Sequence, residues 1–344
     1  MKLRSVYSLI SSDLAVDLGT ASTLVFAKGR GIVCNEPSIV AVHNESRKGK
    51  KKVIAIGTEA KNMAGRSPDK ISTVKPLRGG VISDFEITEE MLRYLIRKSN
   101  RSSLVKPKIV VCVPPGITEV EKRAVKEAAY SAGAREVFLI PEPIAAAIGA
   151  GLPVSEAAGN LLLDIGGGSS EISMLSLKGI VYSRSILVGG DKMDEAIISF
   201  IKRKFNILIG DRTAEQVKLN VGSAYLTAKN GIVEVSGRDL VLGIPRTFIV
   251  SERDAVEALS ECVYQIAEMV KSALEKIPPE LSADVYEKGM YLTGGGSLLK
   301  NLGKFISDKT KLSVTVVDKP FEAVVLGSGI VLSQPGLLEE IMIH

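Results

Sequence analysis

The chain has 344 residues, 45% of them apolar and 24% charged, with a net charge of +5. That is a globular composition, long enough for two domains that each bury a core. The charge excess is mild and spread along the chain, and no DNA- or RNA-reading motif accompanies it, so a nucleic-acid partner is excluded. Cys34, Cys112 and Cys262 lie far apart with no CxxC spacing, which supports neither a disulfide framework nor a metal cluster and fits a reducing cytoplasm. No stretch has the ~18 or more apolar residues of a membrane-spanning helix.

In MKLRSVYSLI, Leu3, Val6, Tyr7 and Ile10 share one helical face beside Lys2 and Arg4. Two readings stay open, a turn packed on the domain and a short amphipathic membrane foot. Asp13 to Lys28 then reads as a hairpin: a strand ending at Asp17, a small-residue turn through Gly19, Thr20, Ala21, Ser22 and Thr23, and a second strand reaching a glycine turn near Gly29 to Gly31. Gly31 to Val42 reads as two strands about an Asn35-Glu36-Pro37 turn. Asn44 to Lys52 reads as a basic hairpin tip, and Glu59 to Pro76 as part of a small insert. A helix is expected from Thr88, with Met91, Leu92, Leu95 and Ile96 on its apolar face.

The loop from Ser99 to Ser103 presents Leu104 and Val105 between Arg101 and Lys106, either as a membrane-inserting finger or as the first buried residues of a strand over Lys108 to Val113. Thr118 and Glu121 form a capping box for a helix stopping near Gly133, and a strand over Glu136 to Ile140 follows. Glu142 reads as the N-cap of the next helix, with Pro143 in its first turn. The run IAAAIGAG suits a helix packed very closely on its counterpart in a duplicated half.

Leu161 to Leu175 repeats the first hairpin: an apolar strand delivers Asp164, then Gly166, Gly167 and Gly168 take positive φ and aim backbone N–H groups at an anion, with Ser169 and Ser170 adding hydroxyl donors. A second glycine turn at Lys178-Gly179 completes the parallel. Two such hairpins suggest a duplicated domain with a nucleotide held between the halves. Gly189-Gly190-Asp191 opens a helix with Met193, Ile197, Ile198 and Ile201 inward. Thr213 to Gln216 reads as another capping box, whose helix carries Glu215 and Lys218 on one face as a surface ion pair or a base-and-ribose grip. Asn230-Gly231 reads as a hairpin turn of a second insert with strands around Val233, Val235, Val241 and Phe248. A long helix from about Ser251 to Lys276 follows. A strand over Gly289 to Thr293 then meets Gly294, Gly295, Gly296 and Ser297 at the start of another helix, where backbone amides favour an anion.

In order, DLGTAST, EPIAAAIG, DIGGGSSE, EQVK and LTGGGSLL resemble the actin and 70-kilodalton heat-shock ATPase superfamily, and within it the MreB family of bacterial actins, over nearly the whole chain. The resemblance implies an α/β fold, a duplicated actin-like ATPase of two domains, each a β-sheet flanked by helices with a small insert, and a nucleotide cleft between them. Domain I would take residues 1–155 plus 321–344 with its insert at about 35–78, and domain II residues 156–320 with its insert at about 190–250. ATP and Mg2+ are the implied cofactors. Asp17 and Asp164 would organise the hydrated metal and the nucleophilic water, and Glu142 would orient or activate that water. Thr20, Ala21, Ser22, Gly166, Gly167 and Gly168 would line the phosphates; Glu215, Gln216, Val217 and Lys218, with Gly294, Gly295, Gly296 and Ser297, would hold the ribose and adenine.

The implied partners are the chain itself in filaments of paired protofilaments, the inner face of the cytoplasmic membrane, MreC, MreD, RodZ and peptidoglycan synthesis enzymes, in the service of wall elongation and rod shape. Relatives commonly carry Asn where Ser22 stands, Thr where Ser169 and Ser170 stand, and Glu where Pro141 stands, which points to tuned rates and a stiffened segment around Glu142. The alternative, a small-molecule kinase of the same superfamily, needs a substrate pocket and a dedicated base, and no spare motif supplies them. A chaperone ATPase would need a substrate-binding domain beyond His344.

Overall fold

A computed structural model describes residues 13–44, 52–100, 105–227 and 230–343. By their contacts these divide into two units, one from Met1–Ala157, Leu175–Ile180 and Phe321–His344, the other from Ala158–Met174 and Val181–Pro320. Unit 1 begins with β1 (Leu14–Leu18), β2 (Ser22–Ala27) and β3 (Gly31–Pro37), an antiparallel meander. A small sheet follows, β4 (Val40–His43), β5 (Lys52–Ile56) and β6 (Ile71–Val74) in the order β5-β4-β6, with the short helix α1 (Thr58–Met63). After the ribbon β7 (Leu77–Arg78) and β8 (Val81–Ile82), the chain runs through α2 (Phe85–Ser99), β9 (Lys108–Val113), α3 (Glu119–Ser131), β10 (Glu136–Pro141) and α4 (Glu142–Gly149). β9 lies parallel to β1 and β10 parallel to β9, giving the order β10-β9-β1-β2-β3. The continuous apolar run of β9 is buried after its first residue, as a strand covered on both faces requires. α2 buries Ile87, Met91, Leu92, Leu95 and Ile96, a 3.6-residue stripe, in a core shared with Leu14, Val16, Val25 and Ile109.

Unit 2 repeats the plan. β11 (Asn160–Ile165), β12 (Ser170–Ser176) and β13 (Gly179–Ile186) lead into α5 (Gly190–Phe205), β14 (Ile207–Leu208), α6 (Asp211–Val221), β15 (Ile232–Asp239), β16 (Pro245–Ser251), α7 (Glu252–Leu274) and α8 (Pro279–Lys288). β17 (Met290–Thr293), a 3-10 turn (Gly295–Leu298), α9 (Leu302–Thr310) and β18 (Val314–Val316) complete it. The large sheet has the order β13-β12-β11-β17-β18, with β17 parallel to β11 and β18 parallel to β17; β14, β15 and β16 form the insert. Three sequential strands followed by two parallel ones is the order of unit 1 again, so the duplication extends from motif to topology.

The chain ends in unit 1 with α10 (Ala323–Ser333) and α11 (Pro335–Ile341). α4 follows the last strand of the first sheet and α10 the last strand of the second, so these helices are counterparts, and they pack on each other. A Cβ at Gly149 would overlap the Ala323 carbonyl, and one at Gly327 the Ala145 carbonyl. The run of alanines and glycines therefore sets a backbone-to-backbone crossing, as its composition suggested.

Several boundaries differ from the sequence reading. α2 starts at Phe85, capped by Asp84, which accepts from Ile87 N at 3.2 Å. Asn35-Glu36-Pro37 lies inside β3 and makes no turn, because Glu36 pairs with Thr23 and its carboxylate accepts from Thr58 N and Oγ1, both at 2.8 Å, and from Lys98. Burial alone would push that carboxyl up, but the Lys98 and Thr58 donors bring it below the ordinary value. Asn230-Gly231 is no hairpin turn; it leads into β15, and Gly231 N donates to Glu252 at 3.1 Å. The β15–β16 turn spans 240–244, and Asp239 accepts within it from Val241 N and Leu242 N at 2.9 and 3.0 Å. The capping box of Thr118 and Glu121 is present, and Ser251 with Asp254 forms another on α7.

Leu3, Val6, Tyr7, Ile10 and Leu104, and most of the basic segment, lie outside the described residues. Val105 is half-buried, and its carbonyl accepts from Asn100 Nδ2 at 3.0 Å on the way into β9. Among the described residues no single helix is long and apolar enough to cross a membrane.

Candidate active site

In unit 1 three chemistry-bearing residues meet at one sheet edge. The ladder places Val16 opposite Val111, Ile140 opposite Cys112 and Pro141 opposite Val113, so Asp17, Cys112 and Glu142 stand at neighbouring strand ends. Cys112 is buried, with Sγ 2.7 Å from Ser328 Oγ. Burial pushes its thiol well up, and the nearby charges of Asp17 and Glu142 push it further. Glu142 is the first residue of α4, whose N-cap is Pro141 with no side-chain capping bond, which corrects the capping reading. Proline at 141 presets the extended backbone, φ −67°, from which the helix starts.

The turn after Asp17 is held from behind. Ser38 Oγ donates to Gly19 O at 2.6 Å, and the buried Thr20 accepts through Oγ1 from Gly80 N at 3.0 Å. Ala21 is exposed and Ser22 half-buried at the start of β2.

In unit 2 Asp164, the second-to-last residue of β11, is oriented by Thr293 of the neighbouring strand, whose Oγ1 donates to Oδ2 at 2.7 Å. Burial raises the Asp164 carboxyl above the ordinary value against the lowering effect of that hydrogen bond. Gly294 adopts φ +79°, and a Cβ there would lie 2.8 Å from Asp164 Oδ1, so only glycine lets this corner close on the carboxylate. Gly295–Leu298 make a single 3-10 turn with Gly294 as its N-cap, and Ser297 Oγ donates to Gly294 O at 2.7 Å; the next α-helix starts only at Leu302. The expected helix N-terminus is therefore absent there.

None of Gly166, Gly167 and Gly168 has a positive φ. Their turn closes by Gly166 N donating to Ser169 O at 2.9 Å, and the residue that must stay small against it is Gly189, before α5, where a Cβ would sit 2.7 Å from the carbonyls of Gly166 and Gly167. Gly190 N and Asp191 N donate to those carbonyls at 3.0 and 2.8 Å. Ser170 faces inward and donates to Val188 O at 2.6 Å, so its hydroxyl is engaged there, while Ser169 is half-buried on the turn.

α6 begins at Asp211 with Gly210 as N-cap, and Thr213 N already donates to Gly210 O at 3.0 Å, so Thr213 caps nothing. On this helix Val217 belongs to the core, Gln216 is exposed, and Glu215 and Lys218 are half-buried. Lys218 Nζ donates to Gly190 O at 2.8 Å and to Asp194 at 2.9 Å. Unit 2 thus gathers Asp164, the Gly166–Gly168 turn, Lys218 and the Thr293–Gly294 corner into one contiguous cluster; unit 1 gathers Asp17, its small-residue turn and Glu142.

Sequence reasoning missed Asp194, Glu171, Cys112 and Thr293. Thr293 adjoins a glycine run, a signal that could have found it. Asp194 and Glu171 carry none, since a lone acid in a helix or strand normally marks a solvated face.

The MreB/Mbl protein family model matches residues 11–340. The cell shape-determining protein MreB of Escherichia coli K12 is 48% identical over 329 residues, covering 95% of each chain. The crystal structure of MreB5 of Spiroplasma citri bound to ADP superposes with a TM-score of 0.90 at 33% identity, covering 96% of this chain and 98% of that one; with AMPPNP bound the TM-score is 0.89 at the same identity and coverage. With a family match along almost its entire length and both unit topologies in place, the chain belongs to the MreB/Mbl family of actin-like proteins.

Proposed function

We propose that the chain is an ATPase that assembles head to tail into filaments and so determines cell shape. The observation that carries this reading is the unit 2 cluster, where a glycine turn, an oriented aspartate and a close glycine corner are built into one edge of a sheet. It is supported by the ADP and AMPPNP complexes of the Spiroplasma citri relative and by the cell-shape role in the name of the Escherichia coli one. The kinase alternative is set aside, since the relatives are cell-shape proteins.

In this reading domain I is residues 1–155 plus 321–344 and domain II is residues 156–320. The phosphates lie along Thr20, Ala21, Ser22, Gly166, Gly167 and Gly168, and the nucleoside along Glu215 to Lys218 and Gly294 to Ser297. The donor chemistry fits hydrated magnesium: Asp164 is a hard oxygen donor at a strand end, held in one orientation by Thr293 Oγ1. Magnesium usually keeps its waters and takes one or two carboxylates with substrate phosphates, and Asp17 and Asp164 would be those carboxylates. When bound it would neutralise phosphate charge and fix water molecules. Thr293 holds Asp164 in one orientation for that task, and Glu142 orients the attacking water and takes its proton. No side chain acts as a covalent nucleophile.

Self-assembly has a surface to use. At the β15–β16 turn Val241 is 79% and Leu242 67% exposed, flanked by Leu240 and Ile244, and a second copy of this chain is the occupant proposed for it. The filament would lie on the inner face of the cytoplasmic membrane with MreC, MreD, RodZ and peptidoglycan synthesis enzymes as partners.

Phosphate release from Mg-ATP, measured against protein concentration with nothing else added, tests the reading. Activity per molecule should be low and rise above a threshold concentration; a flat profile would make hydrolysis a property of the monomer and sink the coupling to assembly. Glu142→Ala should keep ATP binding and slow release by about 100-fold or more.

A further inference from the structure

Lys218 reaches from α6 to the first turn of α5. An ammonium has three N–H donors. Two are committed here, to Gly190 O at 2.8 Å and to Asp194 Oδ2 at 2.9 Å, leaving at most one for a ligand. Asp194 Oδ1 is equally close to the ammonium at 2.9 Å but is buried without a hydrogen bond, and the two side chains are each 15% exposed. The pair is thus enclosed, and only Lys218 donates a hydrogen bond to this carboxylate among the described residues. The same turn of α5 gives its next two amides to the glycine turn, Gly190 N to Gly166 O and Asp191 N to Gly167 O. A continuous path of hydrogen bonds runs from the Lys218 ammonium to the backbone of Gly166 and Gly167.

We propose that Asp194 is a positioning residue that makes Lys218 a strut between α6 and the Gly166–Gly168 turn, so that the nucleoside side and the phosphate side of the site are coupled through the first turn of α5. This rests on the nucleotide reading above. Lys218 then does more than touch a ribose: it fixes the carbonyl of Gly190, whose own amide fixes the phosphate turn. The charged groups acting on Asp194 are Lys218 and Glu215 from α6 and Asp191 from its own helix. Burial raises its carboxyl, Lys218 pulls it down, Glu215 and Asp191 push it up, and it comes to about 6. Below that pH the ion pair is lost and the strut slackens.

The test uses the full chain and two probes, ADP and adenosine, with affinities measured by calorimetry for the wild type and Asp194→Asn. Loss of the charge that holds Lys218 in place should weaken ADP by about 10-fold or more, while adenosine, which touches Lys218 but not the glycine turn, should weaken by clearly less. In the same variant without nucleotide, hydrogen exchange at the Gly190 and Asp191 amides should accelerate by about 10-fold relative to the Val111 amide in the unit 1 sheet. Equal losses for both probes, or unchanged protection of the two amides, would overturn the strut and leave a local ion pair. Should Asp194→Asn fail to fold, protection of the same amides in the wild type, corrected for intrinsic rates, should fall between pH 7.5 and 5.5; no fall overturns the proposal. A wild type that binds neither probe defeats the nucleotide reading itself, which is a separate outcome.

Discussion

Glu171 lies on β12 with 9% of its surface exposed, and Ser173 Oγ donates to it at 2.9 Å. Burial pushes its carboxyl up, Ser173 pulls it down, the Asp164 charge pushes it up and Ser183 pulls it down, with a result of about 8 against an ordinary 4.5. The folded chain therefore holds this proton through neutral pH while the unfolded chain releases it near its ordinary value. Between those two pH values the folded state binds more protons, so this group's contribution to stability declines as pH rises, by at most about 1.4 kcal/mol per pH unit. Glu171→Gln removes that slope. Thermal melts from pH 4.5 to 9 should show the variant gaining on the wild type as pH rises, and parallel curves would refute the buried proton. The residue was illegible in the sequence because a single glutamate in a strand reads as solvent-facing, and nothing local says that its face is covered. At Lys218 the ion-pair alternative looked to Glu215 on its own helix, while the carboxylate to which it donates, Asp194, comes from a helix that folding brings alongside.

Elements were legible where their signals are local. The capping box at Thr118, the apolar run of β9 after Lys108 and the amphipathic α2 each follow from a few neighbouring residues. Errors arose where a turn-like sequence is overridden by distant partners, as at Asn35-Glu36-Pro37, held in a strand by Thr58 and Lys98, and at Asn230-Gly231, tied to Glu252. The β15–β16 turn is the converse case: Val241 has strand-like character, yet Asp239 gathers the amides of Val241 and Leu242 and exposes both side chains. Because Val241 meets water, a charge there is compatible with the fold, so Val241→Asp should leave ADP affinity and melting temperature unchanged. Sedimentation of polymer should fall sharply if this turn is a contact between copies. Normal sedimentation would place the assembly contact elsewhere.

For the whole molecule, the duplication was readable from two strand–aspartate–glycine hairpins, and the matching order of the two large sheets is its spatial form. Membrane attachment belongs to this scale too. Fully burying the four apolar side chains of the N-terminal segment is worth at most about 6 to 8 kcal/mol, and ordering ten residues as a helix consumes much of it. In the proposed membrane-foot reading one such foot would bind marginally, whereas a polymer would present many and bind by avidity. Cosedimentation with anionic vesicles should therefore require assembly, be lost with Val241→Asp, and weaken on deleting Met1–Ser8 or changing Leu104 and Val105 to serine. If neither change matters, the contact lies on another surface.

The crossing of α4 and α10 has a consequence for how this sequence can drift over generations. Gly149 and Gly327 each face a carbonyl of the opposite helix, so neither can be compensated by trimming a side chain at the other. Most paired positions in a core exchange large for small and small for large; here there is no side chain left to exchange. Both sites are closed to ordinary covariation, and a lineage that lost either glycine would have to move a helix to keep the fold.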